Sequence, residues 1–131
     1  MKYLVDTHVW LWMMDSPQKV PEKVHHEISK EISPLGVSVI SLWEIAKLVE
    51  KRRIALSMPV GDWLHVALNA GVVHKLNLDE HIAIESTQLP EEFHRDPSDQ
   101  IIVATARVHN LTLITADREI LAYRHVRTLW D

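Results

Sequence analysis

The chain contains no cysteine, which excludes disulfide bridges, thiolate metal sites and cysteine nucleophiles. Its three glycines and six prolines are too few for a collagen-like or low-complexity protein. Positive charge is not in surplus. Fourteen lysines and arginines stand against 18 aspartates and glutamates, for a formal net charge of −4. That balance argues against broad electrostatic attraction to nucleic acid. It still permits a nuclease, because divalent ions would offset a local carboxylate cluster and basic residues could line the surface around it. No apolar run approaches the ~20 residues that span a bilayer. No basic segment, apolar stretch and cleavage site open the chain. Met1 leads straight into what reads as a core strand. A cytoplasmic protein with no membrane association is the expectation.

What is present suits one compact domain over residues 1–131. The chain is 47% apolar and 24% charged, neither disordered nor fibrous in composition. A core covering roughly two-thirds of the unfolded surface is within its reach.

Lys2–Val5 reads as strand one, in the centre of a sheet, and Thr7–Met14 as a short helix broken by Asp15-Ser16-Pro17. Pro21–Ser33 predicts a helix with Val24, Ile28 and Ile32 inward. Val37–Ile40 predicts strand two, and Ser41–Lys51 a helix closed by Lys51-Arg52-Arg53, where the dipole favours cations. After a connector, Asp62 opens a helix that Gly71 stops. Val72–Leu76 is strand three, Asp79–Leu89 a helix and Pro97–His109 a stronger one. Leu111–Thr115 is strand four, Asp117–Leu121 a short helix and Val126–Leu129 strand five. Strands that alternate with helices, several of them continuously apolar, predict a mainly parallel five-stranded sheet in a three-layer α/β/α sandwich.

Four acids fall at the same end of that sheet. Asp6 ends strand one, and Asp117 lies just beyond strand four. If those strands are neighbours and the chain order reverses between them, the two acids flank the crevice where open parallel sheets bind ligands. Glu44 sits in the predicted first turn after strand two, and Asp99 in the first turn of the helix leading to strand four. Close carboxylates repel one another unless a cation lies between them, and magnesium or manganese prefers oxygen ligands. Each acid also has a purely structural explanation. Ser41-x-x-Glu44 matches a capping box, as Asp96-Pro97-Ser98-Asp99 does. Asp117 is placed to cap the helix after strand four. Asp6 is the hardest to explain this way, because an acid ending a central apolar strand is costly to bury alone.

The ordered motifs resemble those of the PIN-domain family, specifically VapC-type toxin ribonucleases. They are Leu4-Val5-Asp6-Thr7-His8-Val9-Trp10-Leu11-Trp12, Ser41-Leu42-Trp43-Glu44-Ile45, His94-Arg95-Asp96-Pro97-Ser98-Asp99-Gln100 and Ile114-Thr115-Ala116-Asp117. The third motif departs from the family pattern: Ser98 stands where an aromatic is common and Gln100 where an arginine is common. The resemblance implies Mg2+- or Mn2+-dependent endoribonuclease chemistry. Asp6, Glu44 and Asp99 would be the core metal-site acids and Asp117 the more variable fourth. Asp96 would cap a helix or support the ligands from behind, and Thr7 or Thr115 would position a carboxylate or water. The implied reaction has water attack phosphorus and the ribose 3′ oxygen leave, giving a 5′-phosphate and a 3′-hydroxyl. A VapB-like antitoxin that obstructs the site, a homodimer and a toxin–antitoxin hetero-oligomer are the implied partners.

His8 and His94 lie close enough to the motifs to contact RNA, and Lys47, Lys51 and Arg52 to hold its backbone, although Lys51-Arg52-Arg53 also suits a solvated helix end. No His-x-x-x-His pair accompanies the acids, which weakens a zinc hydrolase reading. Trp10, Trp12, Met13 and Met14 read as core or as a partner groove. Trp43 and Trp63 receive no base-stacking role, since packing explains them as well. The rival classes are a metal-dependent phosphatase or DNA nuclease, and an inactive PIN-like RNA-binding module.

Overall fold

The computed structural model describes residues 1–131 and contains five strands: β1 (Tyr3–Val5), β2 (Leu35–Ser38), β3 (Val73–Leu76), β4 (Thr112–Ile114) and β5 (Thr128–Leu129). They form one sheet in the order β3-β2-β1-β4-β5, and every neighbouring pair is parallel. β1 is therefore central, and the chain order reverses between β1 and β4. Seven α-helices complete the fold: α1 (Thr7–Asp15), α2 (Glu22–Ser29), α3 (Val39–Glu50), α4 (Val60–Asn69), α5 (Glu80–Ser86), α6 (Pro97–Val108) and α7 (Arg118–Leu121).

Alternation along the central strands divides the interior into two cores. Tyr3 and Val5 of β1 face one side, with Val9 and Trp10 of α1, Val24 of α2, Ile45 of α3 and Trp63 of α4. Leu4 faces the other, against Ile102, Val103 and Ala106 of α6, Leu113 of β4 and Ile120 of α7. Helices thus cover both faces, which completes the α/β/α sandwich. Trp10 is fully buried and meets Trp63 edge-on at 5.4 Å between ring centroids. Trp12, Met13 and Met14 are partly buried against the same core. No helix is long and apolar enough to cross a membrane.

Element order follows the sequence expectation, but several boundaries differ by two or more residues. Among them are the start of α4 at Val60, the end of α5 at Ser86 and the start of β5 at Thr128. Two of the differences change what is buried. The second helix ends at Ser29, not Ser33, and Ile32 is fully exposed instead of facing the core. Pro34 disfavours helical backbone in the residue before it, and the chain must turn at once to enter β2 at Leu35. The second strand is Leu35–Ser38, not Val37–Ile40. Its register is held from both sides, Gly36 pairing with Leu4 and His74, and Val37 with Val5 and Lys75. Gly36 lets side chains close over the strand: an added Cβ would lie 2.9 Å from Met1 Sδ and 3.1 Å from Leu76 Cδ1, and those side chains would have to shift. Gly71 fulfils its expected role as a stop, with φ +80° just beyond α4.

Candidate active site

The earlier end of β2 changes the start of the helix that follows. Ser38, not Ser41, is the N-cap of α3, and its hydroxyl accepts a hydrogen bond from the Ile40 amide at 3.1 Å. This overturns the capping box at Ser41-x-x-Glu44. Glu44 lies in the second turn of α3 and has no free amide to cap. Its Oε1 instead lies 2.5 Å from Thr7 Oγ1, which is also 2.8 Å from Ser41 Oγ. A hydroxyl carries a single proton, so Thr7 donates to the carboxylate and accepts from Ser41.

Asp6 caps α1. Its Oδ1 accepts from the Thr7 amide at 2.8 Å and its Oδ2 from the Thr115 hydroxyl at 2.6 Å. Thr115 is fully buried and its Oγ1 accepts from the Asp117 amide at 3.0 Å. One hydroxyl therefore joins the acid after β1 to the acid after β4. Asp117 caps α7, with Oδ1 accepting from the Glu119 and Ile120 amides. Asp96 caps α6 by accepting from the Ser98 and Asp99 amides. The reciprocal half of that box is missing, because the Asp96 amide points at His94 Nδ1, 3.4 Å away. The Asp99 carboxylate is thus free of capping duty.

Asp6, Glu44, Asp96, Asp99 and Asp117 line one hollow of about 380 Å³ at the carboxyl ends of β1 and β4, together with Thr7, His8, Val9, Trp12 and Ala116. No lysine or arginine lines it. The electrostatic result is strong. Burial, reinforced by the charges of Asp6, Asp96, Asp117 and Glu44, pushes the Asp99 carboxyl up to about 8. Burial also lifts Glu44 to about 6, against the opposing hydrogen bond from Thr7. Asp6 is raised as well, mainly by burial, although Thr115 and Thr7 pull the other way.

His94 does not line this hollow but lies against one of its acids, Asp99. Its Nε2 is 3.1 Å from Asp99 Oδ2, outside hydrogen-bond geometry, and its Nδ1 is 3.3 Å from Glu119 Oε2. His94, Asp117 and Glu119 each offer one ligand atom, and these three atoms lie within 4.8 Å of one another. No three of the four acids named from the sequence bring their ligand atoms that close together. Glu119 went unnoticed in the sequence because an acid in the first turn of a short helix is explained by the helix dipole alone. His8 is exposed at the rim. Lys47 and Lys51 lie on a neighbouring groove, which Arg53 lines and Arg52 does not.

A model described as the PIN domain matches residues 3–126. The chain belongs to the PIN-domain family. Within it, this PIN domain is 36% identical over 129 residues to Ribonuclease VapC22 of Mycobacterium tuberculosis, with 97% of each chain covered. Its kinship is therefore with VapC-type toxins. The fold superposes on VapBC2 from Rickettsia felis, a complex bound to a promoter DNA fragment, with a TM-score of 0.74 over all of both chains at 16% identity. DNA-bound VapBC from Salmonella typhimurium gives a TM-score of 0.72 at 22% identity, covering 98% of this chain and 97% of that one.

Proposed function

We propose that this PIN domain is a metal-dependent endoribonuclease toxin, acting as one domain over residues 1–131 and neutralised by a VapB-like antitoxin. The observation that carries the reading is the hollow at the β1–β4 switch point. It gathers five carboxylates and no lysine or arginine, and burial, reinforced by the acidic neighbours, holds Asp99 near a pKa of 8. Asp6, Glu44 and Asp99 thus resist ionisation until a cation enters, and the all-oxygen donors suit a hard divalent ion. Asp6, Glu44, Asp99 and Asp117 would hold Mg2+ or Mn2+, which supplies charge neutralisation at the phosphate and lowers the pKa of a coordinated water.

The chain's own residues set the geometry for that chemistry. Thr115 holds Asp6 Oδ2, and the Thr7 amide holds Oδ1, so the carboxylate plane is fixed before any ligand arrives. Thr7 orients Glu44 in the same way. Asp117 keeps Oδ2 free while its Oδ1 caps α7. Attack of water on phosphorus, with departure of the ribose 3′ oxygen, leaves a 5′-phosphate and a 3′-hydroxyl. The complexes among its structural neighbours carry VapB-type partners, and a homodimer bound by such an antitoxin is the assembly proposed for this chain. The location proposed is the cytoplasm.

The test uses partner-free protein incubated with total cellular RNA in Mg2+, in Mn2+ and in excess EDTA. Discrete fragments with 3′-hydroxyl ends should form only with metal, and disappear with Asp6→Asn and Asp99→Asn proteins whose fold is intact. Cleavage that survives EDTA and both substitutions would sink the proposal.

A further inference from the structure

The hollow of acids accounts for only part of the surface around it. Beside it, α3 passes the N-terminal turn of α6 and leaves a groove of about 460 Å³. Glu44 and Asp96 line both spaces, so the groove opens directly off the acid site. Trp43 stands in this groove with 53% of its surface exposed, while Ile45, two residues along, is fully buried on the core side of the same helix. The Lys47 ammonium lies over the Trp43 ring, 5.9 Å from its centroid, and also meets Glu50 at 2.9 Å. Lys51 and Arg53 line the groove further along and take part in none of the molecule's ion pairs. In a chain of net charge −4, two unpaired cations beside a half-exposed indole form a local surface quite unlike the acid hollow it adjoins.

We infer that this groove holds the single-stranded stretch of RNA next to the scissile phosphate, with one base stacked on Trp43 and the backbone passing Lys51 and Arg53. The inference rests on the nuclease reading above. Single strands combine exposed π-faces with regularly spaced phosphates, and an aromatic platform flanked by cations matches both. A base-paired A-form helix keeps its bases stacked inside and offers no face to an indole. The acid hollow itself repels phosphates that no metal shields, so cations just outside it hold the flanking backbone where the hollow cannot. Arg53, not Arg52, is the arginine assigned this contact, because Arg52 adopts φ 56° at the end of α3 and does not line the groove.

The experiment measures binding of a fluorescein-labelled ten-nucleotide single-stranded RNA by anisotropy in EDTA. The Asp99→Asn protein serves as background so that no cleavage interferes. Trp43→Ala should raise Kd about tenfold, and Trp43→Tyr, which keeps a stacking face, should restore it to within about threefold. The Lys51→Ala/Arg53→Ala pair should reduce the slope of log affinity against log salt by about 1.4, two phosphate contacts on a single strand. Circular dichroism verifies that each variant is folded. Tight binding unchanged in all these variants overturns the groove and leaves the nuclease reading standing. No RNA binding together with no cleavage by the unsubstituted protein overturns both. Loss of dimer mass in Trp43→Ala with RNA affinity unchanged makes the groove a contact between copies and overturns its assignment to RNA.

Discussion

Asp99 shows how one side chain can set the pH behaviour of the whole site. Its carboxyl is raised to about 8 and that of Glu44 to about 6, so in the metal-free folded state both keep protons that the unfolded chain releases. A group raised on folding contributes stability that is complete below its unfolded pKa and is lost as pH climbs through its folded one. The Tm of EDTA-treated protein should therefore fall between pH 5 and 8.5. Asp99→Asn should flatten that fall and be more stable at pH 8.5 by on the order of 1–2 kcal/mol, since one pKa unit is worth about 1.4 kcal/mol and the site is partly solvated. A profile identical to the parent's would contradict the coupling. Metal binding has the opposite sign, because ligation requires the deprotonated acids, so Mn2+ affinity should rise across the same range. Thr115 supports this site through a single atom, donating to Asp6 and accepting from the Asp117 amide. Thr115→Val should lower Mn2+ affinity and cleavage by roughly 10–100-fold, as loss of an orienting partner does, while far-UV circular dichroism stays unchanged.

The helix α3 shows what a boundary of three residues does to chemistry. With Ser41 as N-cap, Glu44 would be spent on the helix start. With Ser38 as N-cap, the helix begins earlier, Glu44 moves to its second turn, and both Ser41 and Glu44 reach Thr7 across the gap to α1. Ser38→Ala should cost about 1 kcal/mol in urea unfolding and speed amide exchange at Ile40. Ser41→Ala should leave the Ile40 amide as protected as before and show its effect in cleavage instead. The same helix carries Ile45 inward and Trp43 outward, so one element contributes to the core, the acid hollow and the groove beside it.

For the molecule as a whole, the sheet order brings together acids that are far apart in sequence. Asp6 and Thr115 bond across 109 residues, and this contact exists only because β1 and β4 are neighbours in register, Val5 opposite Ile114. Packing five carboxylates at that junction places mutual repulsion at one edge of the sheet, and a divalent ion should relieve it. Mn2+ at a hundredfold excess over its Kd should stabilise the protein by about 2.7 kcal/mol, seen as a rise in Tm of several degrees. Asp6→Asn and Asp99→Asn should remove most of that rise. A Tm indifferent to Mn2+ would argue against a resident metal.

The sequence by itself determined the element order, the parallel α/β class and the positions of acids at the ends of strands, because these depend on local periodicity and on capping and turn residues. It also carried the ordered family motifs. The tertiary structure decided what local patterns leave open. Capping chemistry around Ser41 and Glu44 was equally consistent with a structural role, and only the register of β2 between β1 and β3 moved the cap to Ser38. Ile32 fitted a helical spacing, yet the turn into β2 put it in solvent. Trp43 and Trp63 were alike as letters, but one is half-exposed beside the acid hollow and the other is 4% exposed against Trp10. His94, in the segment before α6, comes to lie 3.3 Å from Glu119 of α7, an approach that no short-range pattern announces. Each of these outcomes depends on which distant segment packs alongside, and such long-range pairing is settled by burial of the two cores, not by spacing along the chain.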